Sequence, residues 1–97
     1  EKHMHERIIE SKLTRATKAM GGLALKFISP GYDGVPDRIV LFPGGRIAFV
    51  EVKAPGEKPR PLQLSRHRLL RRLGFRVYVL DAAEQIGGIL DEIESQL

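Results

Sequence analysis

The segment DRIVLFPGGRIAFVEVK, residues 37–53, contains two runs of β-branched, aliphatic and aromatic residues separated by Pro43-Gly44-Gly45. Runs of this kind favour strands, and a proline followed by two glycines suits a tight turn. The segment therefore predicts an antiparallel hairpin with strands at residues 38–42 and 46–53.

The length of the turn sets the register of this hairpin. With a three-residue loop, Phe42 pairs with Arg46, and counting back places Asp37 directly opposite Glu51. Two carboxylates that face each other across neighbouring strands are destabilising unless a cation lies between them. A turn of two or four residues would remove this arrangement, so the register is a testable part of the prediction.

The facing carboxylates suit a divalent metal ion. Mg²⁺ commonly takes one or two carboxylates, with water and substrate phosphate completing its octahedral shell. Such an ion lowers the pKa of a bound water and stabilises charge on a phosphate. Lys53 lies two residues after Glu51 and projects from the same strand face, where it could orient that water or stabilise the charged transition state. The chain has no cysteine, so oxygen atoms or the three histidines must hold any metal.

The rest of the chain predicts helices and strands in the order αβββαβα. At helical spacing, Ile9, Leu13, Ala16 and Met20 fall within one narrow arc, which indicates an amphipathic helix that Gly21-Gly22 ends. Asp81 is suited to cap the last helix, although Gly87-Gly88 weakens its middle. The predicted elements are a helix at 2–20, strands at 23–28, 38–42 and 46–53, a helix at 61–73, a strand at 75–80 and a helix from there to the C-terminus.

Length and composition indicate one domain spanning residues 1–97, and the order of the predicted elements makes it an α/β domain. A chain of 97 residues with 42% hydrophobic residues can bury one core. No apolar run is long enough to span a membrane and no signal-peptide pattern opens the chain, so we expect no membrane partner and a cytoplasmic protein. Residues 1–4 are interpreted as partly a cloning addition ahead of a natural start at Met4, so His3 is assigned no role.

The charge of the chain is unevenly distributed. Residues 81–97 hold five of the 12 acidic residues and none of the 16 basic ones, which leaves residues 1–80 with a net charge of +9. Within residues 53–76, eight basic side chains are opposed by Glu57 alone. This distribution favours a polyanionic partner, although a solvated basic face would look the same in the sequence.

The site residues and their surroundings resemble a known nuclease family. GVPDR at 34–38, followed after the hairpin by EVK at 51–53, resembles the PD-(D/E)XK nuclease signature. The blocks GGLA (21–24), FISPG (27–31), VPDR (35–38), EVKAPG (51–56) and KPRPLQ (58–63) resemble stand-alone phage members of the virus-type replication-repair nuclease (VRR-NUC) family. The resemblance covers nearly the whole chain.

The resemblance implies a fold, a cofactor and a set of site residues. The fold is a restriction-endonuclease-like αβββαβ core, here with an additional C-terminal helix, and the chemistry is cleavage of DNA with Mg²⁺ or Mn²⁺. The metal ligands implied are Asp37, Glu51 and the backbone carbonyl of Val52. Lys53 matches the catalytic lysine, and Gln63 matches a glutamine that supports the site. The helical spacing also places Gln63 at the edge of a stripe formed by Leu62, Leu69, Leu70 and Leu73, facing the sheet.

The family also has an acidic residue on its first helix. Glu10 fits by its distance from Gly21-Gly22, and Glu6, one turn earlier, lies on the same edge of the apolar stripe. We prefer Glu10, in the role of holding a metal-bound water or a second ion, and keep Glu6 as the alternative. An ordinary solvated residue is the other interpretation of Glu10.

Other residues have weaker functional patterns. Tyr32 could stack on a base or pack against the domain. Arg66 falls inside the leucine stripe and is expected to span the core edge or a subunit contact. His5 and His67 are expected on the surface. The candidate DNA contacts are Lys58 and Arg60 of the second polar loop, and Arg68, Arg71 and Arg72 of the outer helix face, for which a solvated surface is nearly as good an account.

The site residues thus favour a metal-dependent nuclease, and the resemblance implies an endonuclease of bacterial or phage origin that acts on branched DNA, in the manner of a Holliday junction resolvase in DNA repair. A domain this small covers little DNA, so a homodimer is expected to extend the basic surface and supply two active sites. The rival hypotheses are a non-catalytic DNA-binding module of the same fold and a nuclease that acts on RNA.

Overall fold

Seven helices and strands follow one another along residues 2–96, the part of the chain that this computed structural model describes. The order αβββαβα is the predicted one, and most elements end one or two residues short of the predicted bounds. The elements are α1 (Lys2–Ala19), β1 (Leu23–Lys26), β2 (Arg38–Phe42), β3 (Arg46–Val52), α2 (Pro61–Arg72), β4 (Arg76–Leu80) and α3 (Ile86–Glu94), with a 3-10 turn at Ala83–Gln85 before α3.

The predicted hairpin has the predicted register. Strands β2 and β3 pair antiparallel, with Phe42 opposite Arg46 and Arg38 opposite Val50. Both glycines of the turn have positive φ, 84° at Gly44 and 73° at Gly45, a conformation that residues with a Cβ rarely adopt. The turn therefore has the three-residue length on which the placement of Asp37 depends.

The four strands form one sheet in the order β1-β2-β3-β4. Strand β1 pairs antiparallel with β2, whereas β4 runs parallel to β3. A parallel neighbour needs a crossover connection, and α2 supplies it between β3 and β4. The C-terminal end of β3 is therefore bordered both by the start of β2 and by the helix that follows it in the chain.

One face of the sheet carries the hydrophobic core. Its buried residues come from α1, α3 and the inward positions of the four strands, and the predicted α1 stripe is confirmed. They are Ile9, Leu13, Ala24, Val40, Phe42, Ala48, Val50, Val52, Leu80, Ile86, Ile89, Leu90 and Ile93, with Ala16 and Met20 packed against them. Because Val50 and Val52 face this core, Glu51 and Lys53 project from the opposite face.

The connection from α1 to β1 requires its two glycines. Gly21 has φ 87°, and a Cβ on Gly22 would lie 2.5 Å from the carbonyl oxygen of Leu41 and 2.6 Å from the ring of Phe42. Glycine therefore both ends the helix and allows its end to approach β2 closely.

On the second face of the sheet, the buried residues of α2 differ from the prediction. Leu62 is 46% exposed and Leu73 is 63% exposed, and the only buried residues of α2 are Gln63 and His67. The expected leucine stripe is therefore exposed at its two ends, whereas Leu69 and Leu70 in its middle are half-buried. Beside the helix, the ring of Phe49 packs against Phe27 at 5.4 Å and against Phe75 at 5.6 Å between centroids, and these aromatic pairs contribute apolar contact on this face.

Two terminal details also differ from expectation. Ile28, predicted to end β1, is 74% exposed and outside the strand. Asp81 does not cap α3, because the 3-10 turn comes first and its N-cap is Ala82. Asp81 instead accepts a hydrogen bond from Gln85 Nε2 at 2.9 Å, and Gln85 Oε1 accepts one from the Asp81 N–H at 3.0 Å.

Candidate active site

Asp37 is held at the start of β2 by backbone contacts on both sides. Its Oδ2 accepts a hydrogen bond from the Val52 N–H at 2.8 Å, and its carbonyl accepts one from the Phe27 N–H at 2.7 Å. The first bond ties the carboxylate to the end of β3, and the second continues the pairing with β1. The register and these bonds together place Asp37 beside Glu51, as the hairpin predicted.

Glu51 is buried, with 1% of its side chain exposed, and is surrounded by polar partners. Gln63 Nε2 donates to its Oε2 at 3.0 Å, and His67 Nε2 lies 3.2 Å from its Oε1. Lys53 Nζ lies 3.9 Å from Oε2 and is 18% exposed. A buried carboxylate needs such partners, because an unpaired charge out of water is strongly unfavourable.

The two carboxylates oppose each other electrostatically. Burial, the negative charge of Asp37 and a hydrogen bond with its carboxyl raise the pKa of Glu51 from 4.5 to about 8. The ammonium of Lys53 lowers this pKa and the charge of Glu6 raises it. Without a cation, the Asp37–Glu51 pair therefore retains a proton near pH 7.

This chemistry fits one hard divalent ion. A cation between the carboxylates would replace the shared proton and remove their repulsion. Among residues 2–96, no three His, Cys, Asp or Glu side chains are placed to hold a metal together. Two carboxylates are a sufficient protein contribution for Mg²⁺, which keeps several waters and binds substrate phosphate. The Val52 carbonyl stays a predicted additional ligand.

Gln63 links the loop before α2 to the site. It is 6% exposed. Its Oε1 accepts a hydrogen bond from the Arg60 N–H at 2.9 Å while its Nε2 donates to Glu51. These two bonds fix the orientation of the amide, since reversing it would set two donors against each other. The prediction that Gln63 faces the sheet is confirmed.

The expectation that His67 lies on the surface is wrong. His67 is 1% exposed and contacts Glu51. Burial and the nearby positive charges of Arg71 and Lys53 lower its pKa, so the ring is neutral at pH 7. The sequence did contain a signal, because residues four apart share a helix face and His67 follows Gln63 by four. His5, by contrast, is exposed as predicted.

The two acidic candidates on α1 have different surroundings. Glu10 Oε2 lies 3.3 Å from Arg38 Nε. The charge of Glu6 makes a small contribution to the raised pKa of Glu51, after burial, Asp37 and Lys53. Both glutamates line a cavity of about 330 Å³ that also reaches Asp37 and Lys26. Glu6 is therefore the acid whose charge reaches the carboxylate pair, and Glu10 is engaged by an arginine.

The candidate DNA contacts lie on the surface around α2. Lys58, Arg60, Arg68, Arg71 and Arg72 are exposed. A shallow cavity of about 540 Å³ is lined by Ser65, Arg68, Leu69, Arg71 and Arg72. Arg71 is additionally anchored, because its Nη2 donates to the Val77 carbonyl at 2.8 Å.

Arg66 and Tyr32 join the loop before Asp37 to α2. The Arg66 guanidinium carbon lies 3.9 Å from the centroid of the Tyr32 ring, and its Nε donates to the Asp33 carbonyl at 2.7 Å. Tyr32 is 42% exposed. Arg66 thus spans an edge of the domain, and Tyr32 packs on it while part of its ring faces solvent.

Comparison with known proteins shows the family of this chain. The sequence model of the VRR-NUC domain matches residues 2–84. The chain belongs to the VRR-NUC family. It is 52% identical over 81 residues to a protein of Acyrthosiphon pisum secondary endosymbiont phage 1 named "Putative nuclease p44", a match that covers 84% of this chain and 87% of that protein.

A solved structure of a VRR-NUC domain also matches, with a TM-score of 0.83 and 33% identity over 90% of this chain and 95% of that one. The VRR-NUC family and the restriction-endonuclease-like fold expected from the motif blocks are therefore confirmed. No helix within residues 2–96 has the length and apolar character needed to cross a membrane.

Proposed function

We propose that this VRR-NUC protein is a divalent-metal-dependent endonuclease that hydrolyses DNA phosphodiester bonds with Mg²⁺ or Mn²⁺. The observation that carries the proposal is the pair of carboxylates at the end of β3, Asp37 and Glu51, with the Lys53 ammonium 3.9 Å from Glu51. A protein of this fold without catalytic activity would gain stability by losing this pair, because the carboxylates repel each other when no cation is bound.

Each site residue has a role that follows from its position. Asp37 and Glu51 hold the ion, and the Val52 carbonyl completes the protein ligands. When bound, the ion supplies a water of lowered pKa and neutralises charge on the scissile phosphate. Lys53 orients the attacking water or stabilises the charge of the transition state. Gln63 keeps the Glu51 carboxylate oriented.

An acid on α1 completes the proposed site by holding a water or a second ion. Glu10 stays a candidate through its place in the cavity beside Asp37. The effect of Glu6 on Glu51 supports Glu6 in the same role. The Mg²⁺ concentration needed for cleavage is compared between Glu6→Gln and Glu10→Gln. The role belongs to the glutamate whose replacement raises that concentration more.

The DNA substrate is proposed to be branched. The basic side chains around α2 supply phosphate contacts, and the resemblance to stand-alone phage members supports a resolvase-like preference. A homodimer would present two sites to two strands. The exposed apolar side chains of edge strand β1, Leu23 at 52% and Leu25 at 45%, support a subunit contact there. The similarity to a phage protein named a putative nuclease supports phage or bacterial origin, and the proposed role is DNA repair inside the cell.

Cleavage assays with Glu51→Gln test the proposal. Four-way junction, flap, duplex and single-stranded DNA, and a matched RNA, are incubated with Mg²⁺, Mn²⁺ or EDTA, with Glu94→Gln on the exposed end of α3 as control. We expect metal-dependent DNA cleavage by the wild type and the control, fastest on the junction, and none by Glu51→Gln. Cleavage that survives Glu51→Gln, or binding without cleavage in either metal, contradicts the proposal; cleavage confined to RNA corrects its substrate.

A further inference from the structure

The buried face of α2 is polar where it meets Glu51. Gln63 and His67 are the two buried residues of this helix, and they lie one turn apart on the same side. Gln63 Nε2 contacts Glu51 Oε2 at 3.0 Å, and His67 Nε2 contacts Oε1 at 3.2 Å. The helix thus contacts both oxygens of one carboxylate, one with each side chain.

The contact determines the form of the imidazole when Glu51 is ionised. A carboxylate has no proton to give, so His67 must donate through Nε2–H. A neutral imidazole then carries only a lone pair on Nδ1. Among the described residues Nδ1 has no hydrogen-bond partner, so no neighbouring side chain holds the ring in the other tautomer.

A purely structural role does not explain a histidine here. His67 is 1% exposed, and burying Nδ1 without a partner is unfavourable. A leucine at this position of α2 would fill the space without that penalty. The feature of histidine that leucine lacks, and that the structure uses, is the Nε2 contact with Glu51.

We propose that His67 is a positioning residue for the metal site, which donates from Nε2–H to Glu51 Oε1 and orients this carboxylate toward the ion. The inference rests on the proposed function, because it takes Glu51 as a metal ligand. Gln63 and His67 each contact a different oxygen of Glu51, so each oxygen keeps a lone pair for the ion. Partners that orient metal ligands in this way typically contribute about 10–100-fold to metal affinity.

Metal binding by the protein without DNA tests the proposal through matched variants. His67→Leu removes the donor, whereas His67→Gln keeps an N–H donor at a similar distance from the helix. Mn²⁺ affinity is measured by calorimetry, and urea unfolding verifies that each variant is folded. We expect His67→Leu to weaken Mn²⁺ binding about 10–100-fold and His67→Gln to recover most of the loss. In cleavage, His67→Leu should raise the Mn²⁺ concentration needed for half-maximal rate more than it lowers kcat.

The outcomes separate this inference from the proposed function. If the wild type binds Mn²⁺ and His67→Leu binds it equally well, or if His67→Gln is no better than His67→Leu, His67 does not position Glu51. If the wild type binds no Mn²⁺, or Glu51→Gln binds it unchanged, the proposed function itself fails. Should His67→Leu not fold, ¹⁵N NMR of wild-type histidine with Mg²⁺ decides: the Nε2–H tautomer supports the inference and the Nδ1–H tautomer overturns it.

Discussion

Replacing Glu51 by glutamine should stabilise the metal-free protein relative to wild type. This gain in unfolding free energy should be larger at neutral pH than at acidic pH. In the wild type, burial and the neighbouring Asp37 raise the pKa of Glu51 from 4.5 to about 8. Folding at neutral pH therefore requires the pair to take up a proton that the unfolded chain does not hold. Glutamine has nearly the same shape and requires no such proton.

The size of the effect follows from linkage. Because the pKa is raised in the folded state, the stability contributed by Glu51 is fully present below pH 4.5 and is lost as the pH rises toward about 8. Each pH unit inside this window corresponds to about 1.4 kcal/mol. Between pH 5.5 and 7.5 the wild type should lose about 3 kcal/mol of unfolding free energy that Glu51→Gln retains. The proton belongs to the pair, so its assignment to either carboxyl does not alter the total.

Urea denaturation in EDTA measures the unfolding free energy of both proteins at the two pH values. The effect is the change, between these pH values, in the difference between Glu51→Gln and wild type. Changed hydrogen bonds of the amide to Gln63 and His67 shift both measurements equally and cancel. His67 has the opposite pH dependence, because its lowered pKa makes stability fall as the pH falls through 6.5. Both proteins contain His67, so only a change in its pKa through the altered contact with residue 51 remains in the difference. Glu94→Gln, an exposed substitution at the end of α3, serves as the control. If the advantage of Glu51→Gln does not grow between pH 5.5 and 7.5, the carboxylates do not share a proton and the basis for the metal site is lost.

Three further predictions concern the rate, the DNA surface and the fold. Lys53→Met should lower the single-turnover cleavage rate about 100–1,000-fold at saturating Mn²⁺, because the ammonium 3.9 Å from Glu51 is lost. Lys12→Met, at an exposed position of α1, serves as control. Equal rates for the Lys53 variant and wild type would show that Lys53 takes no part in the chemistry. Arg68→Gln should reduce the slope of log Kd against log salt by about 0.9 if it contacts one phosphate, whereas an unchanged slope in binding titrations would mark Arg68 as merely solvated. Gly22→Ala should destabilise the protein by about 1–3 kcal/mol in urea unfolding, because its Cβ would lie 2.5 Å from a β2 carbonyl oxygen. Gly87→Ala should not destabilise it, because no atom lies within 4 Å of the added Cβ. Equal effects of the two substitutions would contradict the close approach at Gly22.

The centre of the candidate site could be predicted because it depends on local geometry. Turn residues with positive φ at Gly44 and Gly45 set the loop length, and the alternation of side chains along a strand then decides which residues share a face. The placement of Asp37 beside Glu51 needed no information about distant parts of the chain. The position of Gln63 facing the sheet was anticipated separately, from helical spacing along α2.

The surroundings of the site could not be predicted in the same way. Helical periodicity gave α2 a leucine stripe, yet Leu62 and Leu73 are exposed and His67 is buried. The helix turns Gln63 and His67 inward, where both contact the buried carboxylate of Glu51, a group that needs polar partners out of water. Periodicity reports which residues share a face, and it does not report what that face meets.

The amino-acid sequence by itself therefore determined the hairpin, its register and the Asp37–Glu51 pair, because these follow from backbone preferences and side-chain alternation within 17 consecutive residues. The tertiary structure decided which distant groups surround that pair. The charge of Glu6 contributes to the raised pKa of Glu51, whereas Glu10 pairs with Arg38. The sequence places both acids on the same edge of one helix and does not distinguish them. The tertiary structure also brought His67 against Glu51. Such contacts depend on how α1 and α2 cross the sheet, and docking is a property of packed surfaces rather than of local sequence.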